Sequence, residues 1–466
     1  MPELLLTHGY FMFDDPKELQ ILKPYAPLGI LYLCSHLRAR GFDVDVFDTT
    51  FSTRDLLFHH LRTEKPSVLG IYANLMTRRN VVDILRVARE SGWRTVVGGP
   101  EPGAYAEEYL RAGADFVVFG EGELTMEELL ETMRCGAVDG PVRIAGLAFL
   151  ESNGVMHQTA PRGQIADLDA QPWPARETID IGRYVRTWKD AHGKGSVSLI
   201  TARGCPYKCR WCSHQVFGTT HRRRNPIAVV DELEWLMQRY SPDMAWIADD
   251  VFTIHHGWIR TYAAEMKGRG LRIPFECISR ADRLNEEILD LLSELGCFRI
   301  WIGSESGSQR ILDAMERGVK VEQVQRAVEL SRARGIETGM FLMWGYEGED
   351  LTDIEATIEH VKRSQPDIFF TTVAYPIKGT PYYQNTRDRL VQLKSWGGTS
   401  DRELKIKGRH SRKFYDYADR LLRDEVALSR LNRAETTDST SNLSELHSRI
   451  QASRAALTAS YGEVEA

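Results

Sequence analysis

The chain has 466 residues, 42% of them hydrophobic, and its 59 basic and 65 acidic side chains give a formal charge of −6. That length carries two or three domains at about 150 residues each. The near-balanced charge gives no general case for nucleic acid or an anionic membrane as partner. Seven cysteines, three of them within eight residues, do not make a secreted disulfide framework and fit a reducing cytoplasm. Residues 1–13 lack a basic n-region and a small-residue cleavage site, so no signal peptide is expected. No run of about 18 apolar residues predicts a transmembrane helix.

From 1 to 150, short apolar runs alternate with helical patterns. Strands are expected over 4–6, 44–47, 68–72, 95–97 and 116–119, and helices over 28–40, 80–91 and 104–112. Continuous apolar strands between amphipathic helices predict a parallel, doubly wound α/β sheet covered on both faces. Ligands of such sheets sit at the carboxyl ends of the strands. Two loops there stand out: Gly98-Gly99-Pro100-Glu101 and Gly120-Glu121-Gly122-Glu123. Their glycines let backbone approach a ligand closely, although two tight turns of any α/β domain account for them equally well. No GxGxxG fingerprint occupies the first βα turn.

Residues 151–195, with Pro161, Gly163, Pro172 and Pro174, read as an irregular connection between domains. From 196 to 385 the alternation resumes. Strands are expected over 197–202, 244–248, 273–279, 298–303, 338–344 and 368–375, and helices over 227–240 and 321–334 among others. Six βα units predict an open, partial (β/α)6 barrel with its site at the carboxyl ends of the strands. Asp249, Asp250, Arg280 and Glu305 fall at those ends. Singly, each suits a helix cap or an ion pair; as a set on successive strands they suit a binding site. Cys277 and Cys297 are expected in the core. Residues 386–466 are charged and mostly helical, with helices over 415–431 and 446–459 and a flexible link over 434–444. Arg409, His410, Arg412 and Lys413 read as a solvated charge run.

The chemistry concentrates in the loop after the first barrel strand. Cys205, Cys209 and Cys212 are spaced C-x3-C-x2-C, and the next cysteine is Cys277. Three thiolates hold three irons of a [4Fe-4S] cubane and leave the fourth open. An open iron can chelate the amino and carboxylate groups of S-adenosylmethionine (SAM) and deliver an electron to its sulfonium, releasing a 5'-deoxyadenosyl radical. A zinc site completed by His214 is the alternative.

The run Cys205-Pro206-Tyr207-Lys208-Cys209-Arg210-Trp211-Cys212 resembles the radical SAM signature, in which the aromatic at Trp211 lies beside the SAM adenine. The first domain resembles the cobalamin-binding domain that precedes many radical SAM domains. That likeness rests on Pro27-Leu28-Gly29-Ile30, the run at 41–48, Gly98-Gly99-Pro100, and Asp115 through Gly120-Glu121-Gly122-Glu123. Gln171-Pro172-Trp173-Pro174 is similar to the entry into the radical SAM domain. Later motifs at 246–252, 302–306, 345–349 and 375–381 are similar too, with Glu347 where proline is usual.

The resemblance implies three cofactors: the [4Fe-4S] cluster on Cys205, Cys209 and Cys212, SAM, and cobalamin. Trp211, Asp249, Asp250, Arg280 and Glu305 would surround SAM. Gly98, Gly99, Pro100, Glu101, Gly120, Glu121 and Gly122 would hold cobalamin, with Tyr72 and Asn74 toward the lower side of cobalt. A formal D-x-H-x-x-G at 190–195, the pattern whose histidine ligates cobalt in many cobalamin proteins, lies far from the first loop and reads as coincidence. The implied activity is methylation of an unreactive carbon through methylcobalamin, with an oxidative tetrapyrrole cyclase as one alternative and a non-catalytic corrinoid- or metal-binding protein as another. Partners would be a small-molecule, lipid, tetrapyrrole or peptide substrate and a low-potential electron donor such as flavodoxin or ferredoxin.

Overall fold

A computed structural model describes residues 2–136, 140–433 and 440–465. The chain divides into two compact units. The first is Met1–Pro206, Ser213–Asp250 and Lys394–Arg402; the second is Tyr207–Cys212, Val251–Leu393 and Glu403–Ala466.

The first unit opens with β1 (Leu4–His8), α1 (Pro16–Ile21), α2 (Leu28–Ala39), β2 (Val44–Phe47), α3 (Arg54–Thr63), β3 (Val68–Tyr72), α4 (Arg78–Glu90), β4 (Arg94–Gly98), α5 (Ala106–Arg111), β5 (Phe116–Val118) and α6 (Glu123–Cys135). It continues with β6 (Leu147–Leu150) and β7 (Met156–Gln158). The sheet order is β2-β1-β3-β4-β5-β6-β7. The first five strands are parallel, and β6 and β7 add an antiparallel edge. Successive side chains alternate faces. Leu5, Leu69 and Val97 pack with Leu57, Leu85 and Tyr109 on one side; Leu4, Leu6 and Val96 pack with Leu31, Leu37 and Leu129 on the other. This is the doubly wound sheet expected. Helices α1, α3 and α6 were not anticipated. α3 starts where Thr53 Oγ1 accepts from the Leu56 amide, 3.3 Å away, a cap that a mostly polar helix needs.

The connection over 151–195 is less irregular than expected. Beside β7 it holds α7 (Ile181–His192), whose Ile181, Tyr184, Val185 and Trp188 are buried. Those positions are the i, i+3, i+4, i+7 stripe of an amphipathic helix, and Asp180 caps its start through the Arg183 amide at 2.9 Å. His192 ends this helix and its Nε2 meets the Ile21 carbonyl oxygen at 2.8 Å, as a coincidental D-x-H-x-x-G requires.

β8 (Ser196–Leu199), β9 (Ala202–Arg203), β10 (Arg222–Arg223), α8 (Pro226–Tyr240) and β11 (Met244–Ile247) complete the unit, with β8 parallel to β11. The segment 394–402, which reads as part of the C-terminal region, also packs here. Arg78 is 2% exposed and reaches Asp401 at 2.7 Å and the Thr399 carbonyl at 3.0 Å. Trp396 stacks edge-on against Tyr109.

In the second unit follow α9 (His256–Gly268), β12 (Phe275–Ser279), α10 (Glu286–Leu295), β13 (Cys297–Glu305), α11 (Gln309–Ala314), α12 (Val321–Arg332), β14 (Glu337–Trp344), α13 (Leu351–Ser364) and β15 (Ile368–Val373). β12 to β15 are parallel. With β8 and β11 they account for the six strands of the second sheet. Cys277 and Cys297 are buried, as expected.

Then come α14 (Pro381–Thr386), β16 (Leu390–Val391), β17 (Lys405–Ile406), α15 (Arg412–Arg433) and α16 (Thr440–Ala459). Phe414, Leu421, Ile450 and Leu457 of the last two helices join Trp344 and Ile358 in one apolar cluster. Of the expected flexible link, 434–439 lies outside the described residues, and 440–444 opens α16. The expected charge run is only partly solvated. Arg409 pairs with Glu465 at 3.0 Å, and His410 stacks on Phe414 and Tyr461.

Candidate functional site

The first unit contains a cavity of about 510 Å³. Its floor is the carboxyl edge of the first sheet: Tyr72 after β3, Gly98, Gly99 and Pro100 after β4, and Gly120, Glu121, Gly122 and Glu123 after β5. Pro27, Leu28 and Gly29 border it at the start of α2, and Ser213 to Gly218, directly after the cysteine loop, close it. Gly99 has φ +119°, and a Cβ there would lie 2.4 Å from the Ala73 carbonyl oxygen and 3.1 Å from the Tyr72 ring. Only glycine lets the chain turn flat along the cavity wall. With apolar Leu6, Val96, Val118 and Met126 among its walls, the space suits a large, mostly apolar ligand, and the glycine cradle fits the corrinoid expected there.

Two expected cavity residues lie elsewhere. Asn74 accepts from the Met76 and Thr77 amides at 2.9 and 3.1 Å; it builds the turn before α4 and is absent from the cavity wall. Glu101 is buried and engaged by Arg78 and by the Tyr109 hydroxyl at 2.7 Å. A carboxylate so paired stabilises the fold and is not offered to a ligand.

Glu121 does line the cavity, within a buried ion cluster. Arg203, immediately before Gly204, meets Glu121 and Glu123 at 2.8 Å each. Arg222 meets the other Glu121 oxygen at 2.7 Å, and the Ile165 amide donates to that oxygen at 2.8 Å. The Arg203 guanidinium also lies 5.1 Å from the Tyr32 ring and 5.4 Å from the Phe217 ring, both cavity walls. Burial opposes its charge, but Glu123 and Glu121 outweigh that and raise its pKa. Reading the sequence missed Arg203, Tyr32 and Phe217; the one signal was the arginine's place next to the Gly204-Cys205 turn.

The cysteine loop turns at Gly204, where φ is +86° and a Cβ would meet the Thr220 carbonyl oxygen at 2.1 Å. Cys205 is half-buried, Cys209 buried and Cys212 exposed. Among the described residues no three His, Cys, Asp or Glu side chains stand as a preassembled metal-ligand set. A closed zinc site asks for four convergent ligands. His214, its fourth ligand in that reading, faces the cavity with Nε2 buried and without a hydrogen-bond partner. A [4Fe-4S] cluster with one open iron asks for three thiols from one loop, the number and type of ligand that residues 205–212 carry.

In the second unit Arg317 lies beside Cys209, with Nη1 3.8 Å from Sγ. It also donates to the Gly303 carbonyl at 2.9 Å and approaches Glu305 to 3.9 Å. Glu305 is buried in a left-handed conformation, φ +62°. Burial pushes its carboxyl up to about 7, against the pull of Arg317 and Arg280. Arg280 is buried, bonds Asp282 at 2.9 Å, and lies 3.5 Å from the Tyr207 ring centre. Its Nη1 is buried and without a hydrogen-bond partner, so one donor remains for a ligand. Trp211 packs against the cluster of Met315, Met343 and Tyr346.

The two aspartates divide. Asp249 is 1% exposed, and its carboxylate takes the Thr201 and Ala202 amides at 2.7 and 3.1 Å and the Thr201 hydroxyl at 2.5 Å. It locks the end of β8, so the fold engages both oxygens of the aspartate expected beside SAM. Asp250 is exposed and lines the cavity of the first unit.

A glycine-cradled cavity at the edge of a doubly wound sheet, together with a three-cysteine loop that follows the first of six parallel strands, defines a class: an α/β protein that pairs a corrinoid-type domain with a radical SAM domain. Comparison with known proteins agrees. Residues 20–130 match the B12 binding domain and residues 199–361 the Radical SAM superfamily. The chain belongs to the B12-binding radical SAM family.

It is 29% identical over 395 residues to an uncharacterized methyltransferase of Pyrococcus horikoshii, covering 82% of this chain and 83% of that protein. It is 27% identical to the anaerobic magnesium-protoporphyrin IX monomethyl ester cyclase of Rubrivivax gelatinosus, over 80% of this chain and 68% of the cyclase. Among solved structures it is similar in fold to the radical S-adenosylmethionine methyltransferase TsrM from Kitasatospora setae with cobalamin and [4Fe-4S] cluster bound. That match has TM-score 0.69 and 21% identity, and covers 83% of this chain and 75% of that one. The cobalamin-dependent S-adenosylmethionine radical enzyme OxsB with aqua-cobalamin bound aligns with TM-score 0.73 and 16% identity, over 98% of this chain and 72% of that one. Among the described residues no helix is long and apolar enough to cross a membrane.

Proposed function

We propose that this cobalamin-dependent radical SAM enzyme is a methyltransferase acting on an unreactive carbon. The observation that carries the reading is the shared wall: Ser213 to Gly218, which leave the third cysteine, border the same cavity as the Gly98–Pro100 and Gly120–Glu123 loops. A corrinoid seated there lies against the chain that holds the cluster. The methyltransferase of Pyrococcus horikoshii, similar over most of both chains, supports methyl transfer. When bound, the cluster, SAM and cobalamin supply a hydrogen-abstracting radical and a transferable methyl group.

The chain's own residues would do the rest. Cys205, Cys209 and Cys212 would hold three irons, with the Arg317 guanidinium 3.8 Å from the Cys209 sulfur. Arg280, with one unpaired donor, suits the SAM carboxylate, and Trp211 offers an apolar face to the adenine. Glu305, held near neutrality in its protonation, can accept a hydrogen bond from SAM or donate one. The apolar wall and the Gly99 turn would exclude water from a bound corrinoid.

The cyclase of Rubrivivax gelatinosus, similar over 80% of this chain, favours a second reading: ring closure without methylation. Anaerobically reconstituted protein with hydroxocobalamin, methyl-labelled SAM and titanium citrate separates the two. Label in the corrinoid together with S-adenosylhomocysteine supports methyl transfer. 5'-Deoxyadenosine without either supports the cyclase reading, and unconsumed SAM overturns both.

A further inference from the structure

We propose that Arg203 is a positioning residue that couples the cysteine loop to the cavity, so that cluster and corrinoid raise each other's affinity. The inference rests on the cofactor assignment made above. Arg203 precedes Gly204-Cys205 by covalent connection, and Gly204 cannot shift freely, because a Cβ-sized displacement there meets the Thr220 carbonyl. The orientation of Arg203 therefore bears on the first thiol. At its other end the guanidinium holds Glu121 and Glu123, at 2.8 Å each, on the loop that forms the cavity floor. The side chains of Arg203, Glu121 and Glu123 are 6%, 3% and 8% exposed. Arg222 completes a group of two cations and two carboxylates that is largely buried.

Buried charges of this kind tolerate no loose geometry, since a separated pair is left unsolvated. The group thus behaves as a rigid link. Tyr32 and Phe217, the rings flanking Arg203, are themselves cavity walls, so a ligand that orders them orders Arg203. Coupling between two binding events is reciprocal, and an affinity change in one appears as the same factor in the other.

The test is a binding cycle. Hydroxocobalamin affinity is measured by equilibrium dialysis, with the reconstituted cluster and after its removal, in the native protein, Glu121→Gln and Arg203→Lys; circular dichroism checks folding. In the native protein the cluster should tighten binding by about fivefold or more. In both variants that ratio should fall toward one. A residue that merely supports the fold would weaken binding equally with and without the cluster and leave the ratio intact. If Glu121→Gln does not fold, Glu123→Gln removes the other pair. Tight binding with a native ratio of one, or an unchanged ratio in the variants, overturns the coupling and leaves the cofactor assignment standing. Failure of the native protein to bind the corrinoid in either form overturns both.

Discussion

Arg317 sits between two acidic groups: its Nη1 lies 3.8 Å from the Cys209 sulfur and its Nε 3.9 Å from the Glu305 carboxylate. It is 7% exposed, so neither contact is diluted by water. A charged donor at a buried thiolate is worth about 1.5–3 kcal/mol. Arg317→Gln should therefore lose iron to a chelator at least about tenfold faster than the native protein, followed by the visible absorbance of the cluster. Arg317→Lys should fall between. Equal rates in all three would deny Arg317 any hold on the cluster.

Gly99 offers a steric test of the cavity. Its φ of +119° and the 2.4 Å approach to the Ala73 carbonyl oxygen leave no room for a methyl group. Gly99→Ala should cost about 1–3 kcal/mol in backbone strain and lose hydroxocobalamin on gel filtration while retaining iron. Retention of the corrinoid at native stoichiometry would place it elsewhere.

Glu349 makes a pH prediction. Burial pushes its carboxyl up to about 8, with the Gly345 amide pulling down. Its Oε1 is buried without a hydrogen-bond partner. The folded value lies above the unfolded one of 4.5, so the folded chain binds the extra proton. The stability from that proton is full below about pH 4.5 and is lost as pH rises toward 8. At ~1.4 kcal/mol per pH unit between the two values, the loss is about 5 kcal/mol. Glu349→Gln should melt higher than the native protein at pH 8 and near it at pH 5. A constant offset between the two would assign the burial energy to another group.

Arg78 ties the segment 394–402 to α4 and to Glu101. Arg78→Met leaves the Glu101 carboxylate buried without its guanidinium and should cost about 3–5 kcal/mol in urea unfolding. Limited proteolysis within 390–402 should quicken in parallel. Proteolysis at the native rate would show that the contacts of Trp396, Tyr105 and Arg79 hold the segment without Arg78.

Much of the molecule was legible in its sequence because the signals are local. Val68 to Tyr72, Thr95 to Val97 and Phe116 to Phe119 read as strands from apolar runs, and they form part of the parallel sheet. The spacing of Cys205, Cys209 and Cys212 pointed to a three-thiol cluster loop, with a zinc site as its alternative. Gly99 was legible as a close approach, since a left-handed φ leaves its mark in residue type. The helix α7 was also visible, in its 181-184-185-188 stripe, but the prolines before it masked the signal.

Partner choice was not legible. Asp249 and Asp250 are neighbours of one type. Strand geometry turns the first onto the Thr201 amide and the second toward the cavity. Glu101 and Glu121 follow similar glycine loops, yet Arg78 draws one into the core, while the other joins Arg203 at the cavity floor. The sequence by itself determined the two α/β domains, the cluster loop and the family, because strand periodicity, glycine turns and ligand spacing act over a few residues. Only the tertiary structure decided which charges are spent on the fold and which remain for a ligand. A buried carboxylate is satisfied by whichever cation the packing brings within about 3 Å, and those cations come from positions as far along the chain as Arg203 from Glu121.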